Sequence, residues 1–194
     1  EVIDLLGREA GREEEISQIT SRAMRGELDF ESSLRDRVSL LEGIPISVFD
    51  TVFNSIHLSP NAQEFISILQ KNGILVGLVS GGFTQIVERL AKSLGITYFS
   101  AHQLEVKNGL LTGKLVGQII SPQVKKETLE QWREELKLSK DRTVAIGDGA
   151  NDLLMLKSAG LGIAFCAKEV LKQEIPNHVD KRDFLEVFPL IDCL

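Results

Sequence analysis

Three short stretches carry residue types that could do chemistry. Ser80-Gly81-Gly82-Phe83 places a hydroxyl before two glycines. Glycines allow positive φ and close backbone approach, and a helix start just beyond adds partial positive charge, so N–H groups there could hold an anion. The same tetrapeptide also reads as a plain tight turn from strand to helix. Gly147-Asp148-Gly149-Ala150-Asn151-Asp152 crowds two carboxylates and an amide at the end of an apolar run. Left unpaired, the carboxylates would repel each other and lose hydration, and a divalent cation compensates both effects. Mg²⁺ takes few protein carboxylates and fills its shell with water and phosphate oxygens. An Asp-Gly turn with an Asn helix cap is the plainer reading. A dinucleotide glycine fingerprint fits worse, because Asp152 stands where its last glycine belongs. The third stretch is Ser121-Pro122-Gln123-Val124-Lys125-Lys126. A lysine in a helix's first turn opposes the dipole, so Lys125 is either a solvated charge or aimed at an anion. Periodicity does not decide whether Lys125 or Lys126 turns inward. A hydroxyl, a glycine cradle, a lysine and an acidic metal cluster are parts of a phosphoryl-transfer site, lacking only a group to attack phosphorus.

The elements that must position these stretches follow from hydrophobic rhythm. Residues 1–58 read as helices only: Phe30, Leu34, Val38 and Leu41, then Val48, Phe49, Val52, Phe53 and Ile56, recur at helical spacing. A small helical bundle is expected there. From Ser59 the pattern changes. Ser59-Pro60 reads as cap and first position of a helix that Asn72-Gly73 stops. Ile74–Val79 (ILVGLV) and Thr143–Ile146 (TVAI) read as strands buried on both faces, with Gly162–Phe165 a shorter one. Asn108-Gly109, between Gln103–Val106 and Leu110–Thr112, is a strong hairpin signal. Helices are expected through Leu90, over about 123–136, at Leu153–Ala159 and near 183–191. The expected fold is therefore α/β: a parallel sheet with right-handed crossovers and helices on both faces over residues 59–194, plus the helical bundle and a β-hairpin. Ligands bind beyond the carboxyl ends of strands in such sheets, where both glycine-rich stretches fall.

Composition narrows the classes. The length of 194 residues suits one domain with a smaller appendage. Hydrophobic residues at 43% and charged residues at 26% exclude disorder, collagen and coiled-coil arrays. A net charge of −6 with no dense basic run argues against a nucleic-acid platform. No apolar run approaches the roughly 20 residues that span a bilayer, so no membrane partner is expected. Cys166 and Cys193 cannot build a disulfide framework and no signal segment is visible, which points to a reducing cytoplasm. Cys166 reads as packing. His57, His102 and His178 are scattered, match no ligand spacing and receive no role.

On these motifs the chain resembles the haloacid-dehalogenase superfamily of phosphatases, and within it the branch that hydrolyses O-phosphoserine. Ser80-Gly81-Gly82-Phe83 is similar to the superfamily's second motif, Lys125 to its third, and Gly147-Asp148-Gly149-Ala150-Asn151-Asp152 to its fourth. Glu1-Val2-Ile3-Asp4, Ala23-Met24-Arg25-Gly26 and Phe30–Leu41 are similar to that branch's helical cap. The resemblance implies a Rossmann-like core over 59–194, a helical cap over 1–58, Mg²⁺ as cofactor and a small-molecule substrate. It leaves the oligomeric state open, a homodimer included. One departure is plain: the first motif, Asp-x-Asp-x-Thr, which carries the nucleophile and the general acid/base, occurs nowhere in the sequence. A missing central strand would leave ladder groups unpaired, so roughly 15–25 further residues upstream are expected, and these 194 residues alone are expected to be inactive.

The roles implied are specific. Asp148 binds the metal, and Asp152 holds the metal's water shell or Lys125 instead. Ser80 and the Gly81 N–H grip phosphate oxygens, Lys125 stabilises developing charge, and Asn151 contacts phosphate or the attacking water. Glu1 meets the substrate ammonium and Arg37 its carboxylate, for which a guanidinium fork is suited. Met24 and Phe30 cover the apolar side. By themselves, Arg37 reads as an exposed helix charge, Glu1 as a frayed terminus, and Met24 and Phe30 as bundle core. A phosphatase or phosphotransferase for another small phosphomonoester, and a phosphoserine-binding protein without a nucleophile, are the alternative functions.

Overall fold

A computed structural model describes residues 2–191, with only the backbone for Met24. In chain order the elements are α1 (Val2–Glu9), α2 (Glu13–Met24), α3 (Phe30–Ser39), α4 (Val48–Ser55), α5 (Ala62–Lys71), β1 (Gly77–Phe83), α6 (Thr84–Ser93), β2 (Tyr98–Lys107), β3 (Leu110–Val116), α7 (Pro122–Glu135), β4 (Val144–Gly147), α8 (Leu153–Ser158), β5 (Leu161–Phe165), α9 (Glu169–Glu174), β6 (His178–Val179) and α10 (Phe188–Ile191). They gather into two compact units: the segment through His57 with Ser80–Ile120, and Leu58–Val79 with Ser121 onward.

In the first unit the expected helical stripes form the core. Leu34, Val38 and Leu41 of the α3 region and Val48, Phe49 and Val52 of α4 are buried with Ile3, Leu6, Ile16, Phe83, Ile86, Leu104 and Leu111. Phe30, the first member of its stripe, is instead 41% exposed, because it opens α3 at the edge of the bundle. Asp29 starts that helix: its carboxylate accepts from the Ser32 N–H at 3.0 Å and the Ser32 hydroxyl at 2.6 Å. β2 and β3 form the antiparallel hairpin, with Lys107 opposite Leu110. Asn108 (φ 53°) and Gly109 (φ 76°) supply the two positive φ angles that a tight hairpin of right-handed twist requires. The strand order is β1-β2-β3.

In the second unit β4, β5 and β6 lie side by side and parallel, with Val144 opposite Leu161 and Ala164 opposite His178. Successive side chains of a strand point to opposite faces. Accordingly Ala164 joins Ala145, Met155, Leu156 and Leu171 under α8 and α9. Ile163 and Phe165 join Phe65, Val179 and Val187 on the other side, where α5 packs. Helices cover both faces of this sheet, as an α/β fold demands.

Four sequence expectations shift. ILVGLV does not form one buried strand: β1 begins at Gly77 and runs on through Phe83, and Leu75 is 61% exposed. Among the described residues β1 and β4 are the outer strands of their sheets, and an outer strand lacks a neighbour on one side. TVAI shows the same effect, with Val144 and Ile146 only half-buried on one face while Ala145 is buried on the other. The first helix after Ser59 starts later than Ser59-Pro60 implies, at Ala62, with Asn61 in the left-handed region (φ 60°). That turn is held from afar: the Asn61 amide donates to Asp183 at 2.9 Å and the Pro60 carbonyl accepts from Phe184 N–H at 3.1 Å. The helix expected near 183–191 splits into a 3-10 turn, Phe184–Val187, and the short α10.

Candidate active site

The clearest constellation lies in the second unit, at the end of β4. Pro122 opens α7, and the Ser121 hydroxyl caps it by accepting from the Val124 N–H at 3.2 Å. This fixes the helix phase so that Lys125 turns inward and is 6% exposed, while Lys126 stays at the surface 3.7 Å from Glu130. The Lys125 ammonium donates to Asp152 Oδ1 at 2.6 Å, and Asp152 is also 6% exposed. The other oxygen of Asp152 accepts from the N–H groups of Asp148 and Gly149, each at 3.2 Å. Asp152 thus ties the strand end, the following turn and α7 into one charge-assisted network. Gly147 is required by this network: a Cβ there would stand 2.5 Å from the Asp152 Cβ and 2.7 Å from Oδ2.

Asp148 and Asn151, by contrast, are exposed. The Asp148 carboxylate has no hydrogen-bond or ion-pair partner among the described residues. Among those residues no group of three or more His, Cys, Asp or Glu side chains gathers as a metal cage. The chemistry of the donors still fits a hard dication with few protein ligands: one uncommitted carboxylate at a strand tip, beside a second whose charge Lys125 already compensates. A third protein ligand is not needed where water and phosphate oxygens complete an octahedral shell.

In the first unit, Ser80-Gly81-Gly82-Phe83 is extended strand rather than a tight turn, and neither Gly81 nor Gly82 adopts positive φ. α6 follows directly, with Phe83 buried and extended (φ −110°, ψ 143°) at its start. The half-buried Ser80 accepts from the Gly82 N–H through Oγ at 2.9 Å. Close approach is required at Gly82, where a Cβ would press the Ser80 hydroxyl at 3.1 Å, whereas a Cβ on Gly81 would point into open space.

α3, in the same unit, carries the remaining candidates. Arg37 is not an exposed helix charge: it is 9% exposed, and its Nε donates to the Ser33 carbonyl at 3.2 Å. Arg35, its neighbour by two residues, stays at the surface 2.7 Å from Glu31. The Ser33 hydroxyl, one turn before Arg37, is buried without a hydrogen-bond partner among the described residues. Glu1 and the side chain of Met24 lie outside the described residues, as does Cys193. His102 was given no role by its spacing, yet its ring is 1% exposed and Nδ1 lies 3.0 Å from the Gly81 carbonyl oxygen. The only sequence signal for it is alternation along a strand that starts at Tyr98, upstream of the run that marks the hairpin.

A parallel sheet covered on both faces, with GDGAND at a strand tip and a buried Lys–Asp pair behind it, has a match among known families. The chain belongs to the haloacid dehalogenase-like hydrolase family, whose model matches residues 1–160. Similar proteins within that family include phosphoserine phosphatases. The phosphoserine phosphatase of Lactococcus lactis is 50% identical over 194 residues, spanning all of this chain and 90% of that protein. A substrate-bound phosphoserine phosphatase complex superposes with a TM-score of 0.90 at 44% identity, covering 98% of this chain and 90% of the other. A phospho-aspartyl intermediate analogue of phosphoserine phosphatase matches with a TM-score of 0.89 at 44% identity, covering 98% and 91%.

Proposed function

We propose that this chain is a phosphoserine phosphatase, converting O-phospho-L-serine and water to L-serine and inorganic phosphate in the cytoplasm, as the last step of serine biosynthesis. The observation that carries the reading is the end-to-end likeness to the Lactococcus lactis enzyme, 50% identical over 90% of its length. It is supported by the buried Lys125–Asp152 pair behind an uncommitted Asp148, the arrangement a phosphoryl group needs. Residues 1–58 act as the cap and 59–194 as the catalytic core.

In this reading a carboxylate of an Asp-x-Asp-x-Thr segment, which these 194 residues do not contain, attacks phosphorus. A P–O bond to that carboxylate forms as the bond to the serine oxygen breaks. The second aspartate of that segment gives its proton to the serine oxygen, then takes one from the water that attacks phosphorus; the P–O bond to the first carboxylate breaks, restoring that carboxylate and releasing phosphate. Ser80 and the Gly81 N–H hold phosphate oxygens, and Lys125, held in place by its hydrogen bond to Asp152, stabilises the charge that builds on them. Asn151 contacts phosphate or the attacking water. Asp148 is the residue that holds Mg²⁺, and Asp152, with both oxygens already committed, supports it without ligating it. Mg²⁺, when bound, neutralises negative charge on the phosphate oxygens. Arg37 pairs with the substrate carboxylate, Glu1 with its ammonium, and Met24 and Phe30 exclude water over the apolar side.

The test uses the natural full-length protein. Phosphate release from O-phosphoserine should require a divalent cation, vanish with chelation, return with Mg²⁺, and fall by about 10²–10³ or more in Asp148→Asn. Undiminished turnover in Asp148→Asn would remove the metal role, and preference for a different phosphomonoester would remove the substrate assignment.

A further inference from the structure

The peptide between Gly81 and Gly82 is held at both ends. Its N–H donates to Ser80 Oγ at 2.9 Å, and its carbonyl oxygen lies 3.0 Å from His102 Nδ1. A carbonyl oxygen only accepts, so Nδ1 must carry the proton that bridges them. Ser80 Oγ, in turn, is an acceptor toward Gly82, which leaves its own O–H to be donated elsewhere. The His102 backbone is tied to the start of α6, since the Thr84 hydroxyl donates to its carbonyl at 3.1 Å. The ring itself is buried, with its centroid 6.4 Å from that of Phe83 and 6.4 Å from that of Phe30.

Two consecutive glycines have no Cβ to limit their φ and ψ, so something else must hold the peptide plane between them. We propose that His102 is a positioning residue for phosphate binding. By donating to the Gly81 carbonyl it fixes the Gly81–Gly82 peptide, and through the Gly82 N–H it sets the direction in which the Ser80 hydroxyl offers its proton. The proposal rests on reading Ser80 and Gly81 as the phosphate grip. Because the same ring lies near Phe30, it also couples that grip to the residue proposed to cover the substrate.

The conservative variant follows from bond counting: the Asn amide nitrogen is attached to Cγ just as His Nδ1 is, so His102→Asn keeps a donor at the same reach, whereas His102→Leu keeps bulk and removes it. In the full-length enzyme, His102→Leu should weaken competitive inhibition by inorganic phosphate and lower kcat/KM about tenfold, less than the 10²–10³ for losing a direct donor. His102→Asn should recover to within about threefold, and product inhibition by L-serine should move less than about twofold in either variant. The ¹⁵N spectrum of the wild-type imidazole should show Nδ1 protonated. Unchanged phosphate inhibition in His102→Leu, or phosphate and serine weakened together in both variants alongside a lower Tm, would overturn the proposal in favour of a packing role. Ser80→Ala separates the two layers: a defective Ser80→Ala with a normal His102→Leu sinks the His102 role alone, while unaltered phosphate inhibition in Ser80→Ala sinks the site reading and the His102 role with it.

Discussion

Removing one member of the Lys125–Asp152 pair should cost far more than removing any surface ion pair of this protein. The two charged groups are 2.6 Å apart, and their side chains are 7% and 8% exposed. In Asp152→Ala the Lys125 ammonium is left buried without its carboxylate, and the Asp148 and Gly149 N–H groups lose their acceptor. Breaking a buried pair from one side costs about 3–5 kcal/mol, and in a chain of this size each kcal/mol lowers Tm by roughly 2–4 °C. A fall of about 6–20 °C is therefore expected. Lys125→Met should cost less, because the Asp152 carboxylate keeps its two backbone donors. The double variant should be milder than the sum of the singles by about 0.5–3 kcal/mol, since no charge is then stranded. Urea unfolding of the four proteins, checked for equal m-values, measures the cycle. Additive losses below about 1 kcal/mol each, as an exposed pair such as Lys157–Glu174 would give, would refute the claim that this pair is a buried structural charge network.

Gly147→Ala should displace Asp152, because the new methyl would stand 2.5 Å from its Cβ; the expected cost is about 1–3 kcal/mol together with loss of activity, whereas Gly149→Ala crowds the exposed Asn151 side chain and meets Asp152 Oδ2 only at an ordinary 3.8 Å, and should cost less. Arg37→Lys should raise KM for phosphoserine about tenfold with kcat nearly unchanged, since an ammonium cannot match a carboxylate with two parallel donors; an unchanged KM counts against the assignment. The Asp29 carboxyl is held below its ordinary value, first by the Ser32 hydroxyl and then by the Ser32 N–H. A depressed folded value means that the cap's contribution is present above the unfolded value of about 3.9 and is lost as pH falls through the folded one. Asp29→Asn, which cannot ionise, should narrow its urea-midpoint gap to wild type on acidification from neutral pH to roughly pH 3, and a constant gap would contradict the cap's charge dependence.

Much of this protein was legible residue by residue because the signals were local. Leu34, Val38, Leu41 and Val48, Phe49, Val52 sit one helical turn apart, and burial of one stripe needs no knowledge of what covers it. Asn108-Gly109 sets its hairpin through its own φ angles, and the alternation of strands and helices from residue 143 onward implies a parallel sheet before any partner is known. The chemical motifs were visible as strings, but their inward-facing members were not. Adjacent lysines differ by about 100° around a helix, so only the phase of α7 against Asp152, 27 residues away, chose Lys125 over Lys126. Arg37 looked like a surface charge until the first unit's core enclosed it, and His102 had no role until β2 brought it to Gly81, 21 residues distant in the chain. The shift of the ILVGLV strand and the late start of α5 have the same origin. Local sequence sets which conformations are cheap, but which polar group finds a buried partner depends on chain segments that meet only when the core closes.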